Sequence, residues 1–194
     1  MLGLLTPTDP VWVEAVEEDL DRLLSDHAHC ELKAAQSALS LVARFGGEIP
    51  AMVEPLVALA KEETDHFHQV QQRLAARGRR MGPPAIDEYV QGLRTAARRD
   101  GSAVPTLLDR LLVSALIEAR SCERFKLLAE HLGSSSLRSL YRELMASEAK
   151  HYRLFSGLAE THFGVDSARG RLEDLARREA EVADRLPLGP TVHG

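Results

Sequence analysis

Apolar residues recur at intervals of three and four along most of this chain, the period of a helix that buries one face. Trp12, Val13 and Val16, then Leu20, Leu23, Leu24 and His27, form a first stripe that continues through Ala34, Ala35, Ala38 and Val42 to Gly46-Gly47. Thr8 or Asp9 is placed to cap its start near Pro10, and a bend or break is expected between positions 16 and 22. A second stripe begins near Pro50 and passes Met52, Leu56, Leu59, Glu63, His66 and Val70 to about Ala76. The third follows Pro105 through Leu112, Leu116, Glu118, Cys122, Phe125 and Leu128 to Leu132, and a fourth runs from about Ser136 to His162. A last amphipathic helix is expected over about 167–184, ahead of a Pro187-Leu188-Gly189-Pro190 tail. Between the second and third stripes, 77–84 reads as a loop and 86–98 as a short helix, the long link that starts a second antiparallel hairpin. Strand-like alternation is absent from the sequence, so the expected fold is all-α. The pattern predicts one domain over 1–194: a four-helix bundle with hairpins at about 19–76 and 105–163, a crossover at about 77–104 and extra terminal helices.

Charged residues interrupt the buried faces twice in the same form. Glu31 precedes Glu63-x-x-His66, and Glu118 precedes Glu148-x-x-His151, each lone glutamate leading its motif by about thirty residues. In an antiparallel hairpin, residues equidistant from the turn share one depth. Positions 31 and 63 are centred on Gly47, and 118 and 148 on Gly133, so each lone glutamate meets its partner glutamate at one level. The histidine three residues on lies on the same helix face, about one turn along. A carboxylate among such apolar neighbours is strongly disfavoured unless a cation or metal compensates it. Four carboxylates and two imidazoles in this order make the ligand set of a two-metal site in a helical bundle. That donor chemistry suits iron or manganese better than a structural zinc. Which carboxylates bridge is open. His27, one turn before Glu31, is either a reserve ligand or a core histidine; Cys122, one turn after Glu118, either lines the pocket or packs in the core.

Composition narrows the class. The 44% hydrophobic and 27% charged residues are ordinary for a globular domain of 194 residues. No apolar run approaches a membrane span, and no secretory leader pattern opens the chain, so the cytoplasm is expected. Two cysteines, Cys30 and Cys122, supply neither a disulfide framework nor a paired Cys-x-x-Cys electron-transfer site. With no Gly-x-Gly-x-x-Gly fingerprint either, any redox cycle must draw electrons from an external donor protein. The oligomeric state is not legible.

Three strings carry a resemblance. Asp26-His27-Ala28-His29-Cys30-Glu31, Ile117-Glu118-Ala119-Arg120-Ser121-Cys122-Glu123-Arg124-Phe125 and Ser147-Glu148-Ala149-Lys150-His151-Tyr152 resemble the bacterial tRNA hydroxylase family known as MiaE. The likeness extends from the Leu5-Thr6-Pro7-Thr8 start to the His-Gly ending. It implies a ferritin-like, non-haem di-iron monooxygenase that takes O2 as co-substrate. The implied substrate is tRNA at the anticodon stem-loop, where the isopentenyl group of 2-methylthio-N6-isopentenyladenosine is hydroxylated. The six residues named above match the family's ligand pattern position by position.

A tRNA substrate calls for cationic surface, because phosphate contacts supply much of the affinity. Between Arg73 and Arg99 lie seven arginines against Asp87 and Glu88, a local excess of five in a chain of net charge −5. Arg77, Arg79 and Arg80 are the expected tRNA contacts, with Tyr89 as either a base-stacking or a packing residue. Competing readings are a ferritin-like iron oxidation and storage protein, a manganese catalase, and a metal-dependent binding module without turnover. A storage shell would be large on size-exclusion chromatography.

Overall fold

A computed structural model of the chain describes residues 2–98 and 104–194. Among these are seven α-helices and a three-residue 3-10 turn, and no strand. The all-α class expected from periodicity is what is found. The helices are α1 (Trp12–Glu18), α2 (Leu20–Phe45), α3 (Val53–Ala76), α4 (Glu88–Ala97), α5 (Thr106–His131), α6 (Ser135–Phe163) and α7 (Val165–Ala183). They fall into two compact units, one of Glu18–Ala85 with Pro190–Val192, the other of Met1–Glu17, Ile86–Gly189 and His193–Gly194.

The first unit is the α2–α3 hairpin and the loop that follows it. The anticipated break before α2 falls at Asp19, whose carboxylate caps the helix by accepting the Arg22 N–H at 3.1 Å. Leu23, Leu24, Ala28, Ala35, Ala38 and Leu41 are buried on α2, and Leu56, Leu59, Ala60, Val70 and Leu74 on α3. The turn between the helices passes through Gly46. A Cβ there would lie 2.6 Å from the Val42 carbonyl oxygen and 2.9 Å from Val53 Cγ2, so only glycine lets the second helix start this close. At the far end, Gly78 adopts φ +73° and donates to Ala75 O at 2.8 Å, the left-handed stop that glycine permits. The chain then folds back along α2. His29 Nε2 meets Gly82 O at 2.9 Å, Lys33 Nζ donates to Ala85 O at 3.1 Å, and Gly82 N donates to Ser25 Oγ at 2.9 Å.

The second unit is built on the α5–α6 hairpin, with α7 packed on both and α4 packed on α5 and α7. Its turn contains Gly133, whose N–H donates to the Glu17 carboxylate at 2.6 Å, and Ser134 caps α6. Helix α5 is buried over most of its surface, including the charged Arg120, Glu123 and Arg124. These charges are matched internally. Arg120 donates to Glu123 Oε2 at 2.8 Å and Glu179 Oε1 at 2.7 Å, and Tyr89 donates to Glu179 Oε1 at 2.9 Å. Burial opposes the Arg120 charge, but Glu179 outweighs it and holds the guanidinium above its ordinary range. Thr8 donates to both oxygens of Glu123, at 2.6 Å from N and 2.7 Å from Oγ1. Asp9 instead accepts from Val11 N at 3.0 Å, just ahead of α1. Thr8 spends its hydroxyl in the core. His193 closes the unit, between Asp87 Oδ2 at 2.8 Å and Ser121 Oγ at 3.1 Å, with its ring stacked on Tyr89.

Arg120 thus donates to two buried carboxylates at once. Replacing it by leucine leaves both uncompensated, and a loss of roughly 3–5 kcal/mol in unfolding free energy is expected from urea titration. A change below about 1 kcal/mol would mean the network is not what joins these helices.

Candidate metal centre

Each hairpin carries its own cluster of acid and imidazole. In the first unit, α2 presents Glu31 and α3 presents Glu63 and His66, all three buried. Glu31 and Glu63 are only 4% and 1% exposed. The three offer ligand atoms within 4.8 Å of one another. His66 Nδ1 lies 3.3 Å from Glu63 Oε2 and 3.8 Å from Glu31 Oε2. The helix spacing produces this: Glu63 and His66 sit one turn apart on one face, and the Gly46 turn brings Glu31 to their level.

In the second unit, Glu118 on α5 and His151 on α6 approach to 4.0 Å between Oε2 and Nδ1. Glu148 is buried on α6 one turn before His151, at 3% exposure. In both units it is the Nδ1 nitrogen that faces the carboxylate. The donor set, buried carboxylate oxygens gathered with imidazole nitrogens, fits a metal ion of intermediate hardness. Two carboxylates this close and this dry repel one another strongly unless a cation lies with them. The buried acid and histidine clusters are accordingly compatible with a metal centre.

His27 is fully buried, and its Nε2 lies 2.7 Å from Glu31 Oε1. Among the described residues it belongs to none of the clusters able to hold an ion. Cys122 is buried one turn past Glu118 and its thiol donates to Met145 O at 3.4 Å. Burial, and after it the charge of Glu118, pushes that thiol above its ordinary pKa, so it is uncharged at neutral pH. Close in sequence to His66, Asp65 and Glu62 are exposed. Asp26 instead accepts from Val192 N at 2.8 Å.

The basic loop is ordered by an acid that sequence reading missed. Arg77 Nε donates to Asp21 Oδ1 at 2.5 Å and Arg79 Nε to Asp21 Oδ2 at 2.8 Å. The Arg77 hydrogen bond, foremost among several contributions, holds the Asp21 carboxyl below its usual range. Asp21 lies more than fifty residues from both arginines, and no local pattern announces such a pairing. Arg80 is exposed and makes no hydrogen bond or ion pair among the described residues. Together with Gln71, Ala75, Gly78, Arg79 and Met81 it lines an open concavity of about 470 Å³. In the second unit, Arg98 is drawn to Asp109 at 3.5 Å. Arg99 lies outside the described residues. Tyr89 is buried in the Glu179 network and offers no face for a base.

Three comparisons bear on this site. A family model described as tRNA-(MS[2]IO[6]A)-hydroxylase (MiaE) matches residues 2–194. A Pseudomonas putida protein named tRNA 2-(methylsulfanyl)-N(6)-isopentenyladenosine(37) hydroxylase is 39% identical over 171 residues, covering 88% of this chain and 81% of that protein. A Salmonella typhimurium protein of the same name is 32% identical over 224 residues, covering 91% and 82%. Among solved structures, a Synechococcus protein described as having aldehyde deformylating oxygenase activity superposes with a TM-score of 0.90 at 39% identity, covering 98% of this chain and 95% of that one.

Proposed function

The chain belongs to the MiaE family of tRNA hydroxylases, and from that membership we propose that its two buried half-sites act together as one di-iron centre. It is an enzyme, and its reaction is hydroxylation of the isopentenyl group of 2-methylthio-N6-isopentenyladenosine in tRNA, next to the anticodon. The observation that carries this reading is the family match along 2–194, which spans both half-sites. In the proposal the two hairpins form a single domain. Glu31, Glu63 and His66 supply one side of the centre, and Glu118, Glu148 and His151 the other. What supports this is the equal depth of the acids within each hairpin and their burial, which a pair of cations would relieve.

Bound iron supplies the reductive activation of O2 needed to oxidise an allylic C–H bond. With two electrons from an external donor protein and two protons from solvent, one oxygen atom would enter the substrate and the other would leave as water. The chain's own residues set orientation and exclude solvent. The carboxylates fix the metals, the imidazole Nδ1 atoms complete the donor sets, and the neutral Cys122 thiol offers an uncharged wall beside Glu118. The target base must leave its stack to reach a buried centre, as bases in RNA loops commonly do. Arg77, Arg79 and Arg80 meet the phosphates that flank it, and the cytoplasm, where tRNA resides, is the proposed compartment.

A second reading rests on the Synechococcus protein, which is equally identical to this chain over nearly its whole length. Aldehyde deformylation therefore belongs in the same test. A host that makes the prenylated, methylthiolated adenosine but lacks a hydroxylase is given the gene, and its tRNA nucleosides are analysed by mass. A gain of one oxygen atom on that nucleoside is expected, and its loss with Glu63→Ala. An unchanged nucleoside profile with soluble, metal-loaded protein, together with turnover of an alkanal, would instead select the deformylase reading.

Arg80→Glu is expected to weaken tRNA binding several-fold and to flatten the slope of log affinity on log salt by about 1. Unchanged affinity and slope would remove the loop from the interface.

A further inference from the structure

His27 serves no purpose in the ligand set as described, yet it is wholly buried beside it. It lies on α2 one turn before Glu31 and places Nε2 2.7 Å from Glu31 Oε1. The other oxygen, Oε2, lies 3.8 Å from His66 Nδ1, on the side of Glu63. The Glu31 carboxylate is therefore divided, one oxygen held within its own helix and the other directed at the cluster.

We infer that His27 is a positioning residue, which holds Glu31 Oε1 and so leaves Oε2 as the metal-binding oxygen of that carboxylate. The terminal torsion of a glutamate is broad and roughly two-fold, so an unrestrained carboxylate can present either oxygen or both. A hydrogen bond from a buried imidazole to an ionised oxygen is short and strong enough to select one arrangement. The imidazole carries its proton on Nε2 to donate it. Such outer partners of metal ligands govern affinity as well as orientation. The device belongs to one hairpin: four residues before Glu118 stands Ser114, whose side chain is far shorter than an imidazole. The consequence is confined to the metal that Glu31 binds. This inference rests on the two-metal reading above.

The full-length apoprotein is titrated with Co(II), read by its visible ligand-field bands, with helicity followed by circular dichroism. Wild type is expected to take up two ions per chain. His27→Met keeps the volume and removes the donor, and should weaken one of the two sites by about 10–100-fold while leaving the other within a few-fold. His27→Gln, which can still donate, should recover most of the loss. In a Glu31→Gln background, where the carboxylate is gone, His27→Met should cost no more than about two-fold, because the two residues act as one unit. Unchanged affinity in His27→Met, or an equally large loss in the Glu31→Gln background, overturns the inference while the two-metal centre stands. A wild-type chain that takes up no Co(II) overturns both. If His27→Met does not fold, wild-type affinity at both sites in His27→Asn, whose amide is too short to reach Glu31, overturns the positioning role.

Discussion

Taking a carboxylate out of water is costly enough that a protein must compensate it locally, and this constraint organises both units of the chain. Each helical hairpin buries acids at mid-depth on faces otherwise lined by leucine and alanine. Such faces would favour apolar residues throughout if stability alone decided. That the acids remain, gathered with imidazoles, is the physical reason for treating them as a binding device. The surrounding architecture serves that placement. Close helix approach at Gly46 sets Glu31 level with Glu63, and the Gly133 turn does the corresponding work for α5 and α6.

Two kinds of buried charge sit side by side in the second unit, and the contrast is instructive. Arg120, Glu123 and Glu179 form a set that supplies its own cation, with further hydrogen bonds from Thr8 to Glu123 and from Tyr89 to Glu179 Oε1. It fastens the N-terminal segment, α4 and α7 to α5. The Glu118–His151 pair lies on the neighbouring stretch of α5 and has the donor chemistry of a ligand set. A hydrogen-bonded scaffold of this kind beside a candidate ligand pair is what a precisely oriented site requires.

Much of this was legible in the sequence because it depends on local spacing. The three-and-four periodicity gives an all-helical fold, the break before α2 follows from Asp19 within the expected interval, and the Glu-x-x-His repeats lie on buried faces because three residues make nearly a full turn. Long-range choices were not legible. Thr8 and Asp9 are equivalent caps by sequence, and only the position of Glu123 decides that Thr8 serves the core. By sequence His27, one turn from Glu31, is consistent with a reserve ligand and with a core histidine, since spacing fixes its face and not the direction of its ring, which reaches Glu31 Oε1. Tyr89 sits in a basic stretch where sequence leaves base stacking and packing both open, and burial beside Glu179 decides for packing. The arginine run was visible, whereas its division into Asp21-held Arg77 and Arg79 and an unengaged Arg80 depends on how the loop folds back on α2.

The central claim is that the two half-sites form one centre holding a pair of irons. Mössbauer spectroscopy of the full-length chain reconstituted with iron-57 and oxidised in air addresses it most directly. The account predicts two irons per chain in a spin-coupled diferric pair, with a diamagnetic ground state that shows no magnetic splitting at low temperature. One iron per chain, or two that give the split spectrum of isolated ferric ions, would contradict it.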